Sequence, residues 1–128
     1  MSLILRPGPV AALCLLVCTA AVMRGNPAYA GNDDAAGSLT VCARAFNAGD
    51  FDKALDACNA TLAADPQNAV AYFIKGSVLI AKATVDAKGN PIYPPGTREA
   101  LQRYIDLEPN GAHSADAREM LRYIDTGK

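Results

Sequence analysis

Cys42 and Cys58 are the first side chains whose type and placement suggest chemistry. Asp50 lies midway between them in the chain, at the centre of a predicted turn between two helices. Residues equally far from such a turn sit at the same height on an antiparallel helix pair. A disulfide needs Cα atoms within about 7 Å, closer than the usual spacing of about 8–10 Å between helix axes. The small neighbours Ala45 and Ala54 permit that approach. Three readings stay open: a structural bridge, two buried free thiols, or a redox pair. A bridge closing a loop of this length adds about 3 kcal/mol on the chain-entropy account. The absence of a C-x-x-C arrangement argues against redox catalysis.

The remaining reactive residue types form no catalytic set. His113 is the one histidine and precedes Ser114, where it reads as a surface residue near a helix start. Neither Ser77 nor Ser114 lies in a sequence resembling a strained nucleophile turn. Asp52 and Asp56 share a helix face at i, i+4, which more often marks a solvated surface than an acid–base pair. Gly89 and Gly96 are isolated turn residues, so no phosphate-cradling loop is expected. Tyr72 and Tyr104 read as core or groove lining. No catalytic residue, metal ligand or cofactor is therefore expected.

The chain has 128 residues, with 12 Lys+Arg, 13 Asp+Glu and a net charge of -1. That balance supplies no clustered basic excess, so nucleic acid is not an expected partner. Residues 1–30 read as a signal peptide. Arg6 precedes the uncharged run Val10–Val22, and Ala28-Tyr29-Ala30 resembles a cleavage site. The run is shorter than the roughly 20 residues a membrane-crossing helix needs, so no span is expected once it is removed. Val17 directly before Cys18 is too bulky for a lipidation site. The expected location is exported, in the periplasm or cell envelope. Residues 31–37 (GNDDAAG) then read as a flexible lead-in to a single domain over 38–126.

The elements that must position these residues are helical. Leu39, Cys42 and Phe46 fall on one stripe after a predicted Ser38 N-cap, and Asn47–Asp50 breaks the pattern. A second helix over 51–64 carries Ala54, Leu55, Cys58 and Leu62 inward, and Asp65-Pro66 ends it. A third starts near Ala69 and aligns Tyr72, Gly76, Leu79 and Ala83. Gly76 costs about 1 kcal/mol relative to alanine in mid-helix and is expected to admit a close neighbour. A fourth helix follows a predicted Thr97 cap, with Ala100, Leu101, Tyr104 and Ile105 inward. The last, from Ser114 to about Asp125, aligns Ala117, Met120, Leu121 and Ile124.

The stretch Gly49–Leu55 (GDFDKAL), then Ala63–Ala69 (AADPQNA), then Tyr72 with Gly76, resembles the tetratricopeptide repeat, a helix–turn–helix unit of about 34 residues. The resemblance covers residues 38–80 and resumes over 98–124. It implies an all-α array of helical hairpins, about two repeats plus a C-terminal capping helix. The chain departs from the pattern at an inserted loop over 84–96, TVDAKGNPIYPPG. There Lys88-Gly89-Asn90-Pro91 is turn chemistry, with Val85, Ile92 and Tyr93 as arms of a short hairpin. The loop reads either as a cover over apolar surface or as a recognition element centred on Tyr93.

A stacked array offers a concave surface, so the expected function is a non-catalytic protein–protein interaction or scaffolding module. Tyr72, Phe73, Lys75 and Tyr93 are the candidate partner-binding residues, and the partner is another polypeptide, a second copy included. About three repeats are usually needed for a stable solenoid, so a disulfide, the terminal helix, the inserted loop or self-association would make up the deficit. The alternative is a small redox or carrier protein using Cys42 and Cys58.

Overall fold

The computed structural model describes residues 27–127. Of the expected signal peptide, residues 1–26 lie outside the described residues. The fold is all-α: α1 (Pro27–Asn47), α2 (Phe51–Ala64), α3 (Ala69–Ala81), α4 (Thr97–Leu107) and α5 (Ser114–Thr126). Between α3 and α4 sits a two-stranded hairpin, β1 (Thr84–Val85) and β2 (Pro91–Ile92). The chain divides into two units, Met1–Ala30 and Gly31–Lys128, and both clusters of the core belong to the second.

Each turn follows from its residues. Gly49 takes a positive φ of 77° after α1, a conformation that costs glycine little. Asp50 caps α2, its side chain accepting from the Lys53 amide at 3.2 Å. The extended backbone of Asp65 before Pro66 closes that helix. Asn68 caps α3 by accepting from the Ala71 amide at 3.0 Å.

Packing runs in sequence order. One cluster joins α1, α2 and α3 through Cys42, Ala45, Ala54, Cys58, Ile74 and Val78. A second joins α3, α4 and α5 through Ala69, Leu101, Tyr104, Ala117 and Leu121. Helix α3 serves both, which explains why it is apolar on nearly every face. A Cβ on Gly76 would fall 2.7 Å from the Leu101 Cδ2, so the glycine does admit close approach of α4.

Four expectations are corrected. Residues 31–37 are helical, and Ser38 lies inside α1 rather than capping it. Ala35 and Ala36 favour helix, and Ala35 is buried, as a flexible lead-in would not be. The Thr40 hydroxyl donates back to the Ala36 carbonyl at 2.9 Å within that turn. Thr97 is the first residue of α4 and Gly96 stands at its cap. The Thr97 hydroxyl instead donates to the Pro94 carbonyl at 2.6 Å, tying loop to helix. Ala83 falls beyond the end of α3.

The inserted segment forms the expected hairpin, antiparallel with Thr84 opposite Ile92 and Val85 opposite Pro91. Asp86 organises its turn. Its carboxylate accepts from the Lys88 and Asn90 amides, both at 2.8 Å, and from the Asn90 side chain at 3.0 Å. Those bonds, the Asn90 side chain first, hold the Asp86 carboxyl below the usual carboxylate range.

Candidate functional site

The disulfide sits at the root of the first helical hairpin. Cys42 and Cys58 are bridged with Cα atoms 5.1 Å apart, and both are fully buried. Of the three readings of this pair, the bridged one is what the structure contains. The bond fixes α1 on α2 one turn before Phe46, and Phe46 meets Phe51 across the turn at 6.5 Å between ring centres.

From those two rings an open groove of about 610 Å³ extends over α3 to α5. Phe46 and Phe51 form its first wall, and Phe73, Ser77 and Ile80 of α3 form its floor. His113, Asp116 and Met120, at and within α5, form its second wall. The floor residues recur at i, i+4 and i+7, one stripe of a helix. Past Ile80 the surface continues along Asp116, Glu119, Met120 and Tyr123. Helices α1, α3 and α5, with Phe51 at the start of α2, thus present a continuous, largely apolar hollow.

An aromatic stack stiffens its middle. The His113 imidazole lies parallel to the Phe73 ring at 4.4 Å, and Phe73 tilts against Tyr104 at 5.3 Å. Tyr104 is buried, and its hydroxyl accepts from the His113 amide at 3.0 Å, locking the entry to α5. A Cβ on Gly111 would fall 2.6 Å from that hydroxyl, so the α4–α5 turn needs glycine there. The His113 Nδ1 stands 3.9 Å from Asp116 Oδ2, an ion pair only when the imidazole is protonated.

The four candidate binding residues are distributed over separate places. Phe73 lies in the groove floor. Tyr72 and Lys75 line a smaller cleft of about 280 Å³ between α3 and α4, with Gly96, Glu99, Ala100 and Arg103. Tyr93 is half-buried, and its hydroxyl oxygen is buried with no hydrogen-bond partner among the described residues. Desolvation, and then Tyr123, raise its phenol above the ordinary value.

Phe46, Phe51, Ile80, His113 and Met120 belong to the groove; the sequence reading puts Phe46 and Met120 on inward stripes and His113 at the surface, and gives Phe51 and Ile80 no binding role. Their signal was the second stripe on α3, Phe73–Ser77–Ile80, beside the buried stripe Ala71–Ile74–Val78.

Among the described residues no group of acidic, histidine or cysteine side chains is arranged to hold a metal, and no helix is long and apolar enough to cross a membrane. No family model, curated protein or solved structure matches the chain.

Proposed function

We propose that this protein is a non-catalytic interaction module, a short tetratricopeptide-like array that holds a segment of another polypeptide against the hollow face of α1, α3 and α5. The observation that carries the reading is the groove itself. Five apolar or aromatic side chains, Phe46, Phe51, Phe73, Ile80 and Met120, line it from four helices and stay reachable from solvent. Leaving such a surface wet costs roughly 25 cal/mol per Å² of apolar area, which a bound chain recovers. We further propose export to the periplasm or cell envelope. The bridge supports this, because disulfides persist in oxidising compartments.

Redox exchange through Cys42 and Cys58 draws less support, since attack on a disulfide needs an accessible sulfur and both are buried. The test compares partners captured by the unaltered protein, by Met120→Glu and by Tyr72→Ala. Loss of partners with Met120→Glu and retention with Tyr72→Ala is expected. Loss with Tyr72→Ala alone would move the binding face to the α3–α4 cleft.

A further inference from the structure

We propose that the groove selects a basic amphipathic segment, one carrying a bulky apolar side chain beside Lys or Arg. This rests on the reading of the groove as a polypeptide-binding face and adds the charge of its occupant.

The argument is charge complementarity. Asp116 and Glu119 are the ionised side chains along the groove and its continuation, and among the described residues no Lys or Arg lines either stretch. Two nearby cations are paired away from these carboxylates. Lys82, just past α3, is paired with Asp52 of α2. Arg98 is paired with Asp125. Arg122 approaches Glu119 at 3.8 Å without lining the groove.

The two carboxylates occupy the α5 wall at i and i+3, so they project from one face of that helix. Met120 follows Glu119 and supplies the apolar contact between them and the floor. A chain lying along α3 would set its large apolar side chain among Phe73, Ile80 and Met120. A cation one turn or two residues away would then reach Asp116 or Glu119. An acidic segment would meet Asp116, whose neighbour His113 is a cation only when protonated, and Glu119, which Arg122 neutralises in part at 3.8 Å. Surface ion pairs of this kind contribute little to affinity but decide between partners of opposite charge. Asp116 is exposed, with His113 its near neighbour, so its replacement leaves the core untouched.

The experiment titrates the full chain with three labelled synthetic peptides that share one set of leucines. Their polar positions are Lys, Gln or Glu, and fluorescence anisotropy reads binding at low and high salt. The expected order is Lys, then Gln, then Glu, with the Glu peptide roughly tenfold weaker than the Lys peptide and the gap closing in salt. Asp116→Asn with Glu119→Gln should weaken the Lys peptide about threefold and leave the Gln peptide unchanged. Equal binding of all three would overturn the charge selection and leave the polypeptide-binding reading standing. Binding of none would overturn both. A dimer of the full chain in sedimentation, abolished by Met120→Glu, would overturn the proposal by making a second copy the occupant.

Discussion

Cys42 and Cys58 show how one covalent contact sets the geometry of a surface several residues away. The bridge spans a sequence separation of 16 and fixes the α1–α2 angle from inside the core. Cys42→Ser with Cys58→Ser should lower unfolding free energy by about 3 kcal/mol, read by urea denaturation. The same variant should broaden the signals of Phe46 and Phe51, because their wall of the groove is hinged on that bond. Asp86 gives a second prediction. Its carboxyl is held below its ordinary range in the fold, so the hairpin gains stability above the unfolded-state value. That contribution is lost as pH falls through the lower, folded value. The protection factor of the Asn90 amide, its exchange referred to the intrinsic rate at each pH, should therefore fall in acid, and Asp86→Asn should abolish that fall.

Gly76 decides how closely two elements meet. Alanine there gains about 1 kcal/mol of helix propensity but places its methyl against the fully buried Leu101. Overpacking costs about 1–3 kcal/mol, so Gly76→Ala should destabilise by about 1 kcal/mol net, measured by thermal unfolding. Leu101→Val in the same chain should recover part of that loss. The elements themselves were largely legible. Asp50 and Asp65-Pro66 carry their turn chemistry locally, and α4 and α5 have clear amphipathic periods. The start of α1 was not, because GNDDAAG has the composition of a loop while its alanines propagate a helix already under way. Faces were harder still on α3. Its run AVAYFIKGSVLIA is apolar all round, so periodicity could not separate the stripe that packs on two neighbours from the stripe that floors the groove. Equal spacing about Asp50 did place the two cysteines together. Nothing local could pair Phe73 with His113, forty positions on, because that contact is made by the stacking of hairpins.

At the scale of the molecule, the hairpins bury one side of α3 in each direction and leave a hollow between α1 and α5. Phe73→Ala should widen that hollow and also loosen the stack with Tyr104 and His113. Truncating a large aromatic that is only half-buried should cost at the low end of the usual core range, about 3 kcal/mol, by denaturation. Loss of binding in that variant would then report on both floor and fold. Met120 is half-buried too and packs against the second core cluster, so binding by Met120→Glu is read beside a denaturation curve of the same variant. The central claim is that a polypeptide lies on the α1–α3–α5 face, and nuclear magnetic resonance shift mapping of the full chain tests it most directly. Titration with the leucine–lysine peptide should move the resonances of Phe46, Phe73, Ile80, His113 and Met120 together, with one saturation curve. Shifts confined to Tyr72, Lys75 and Arg103, or no shift at saturating peptide, would contradict it.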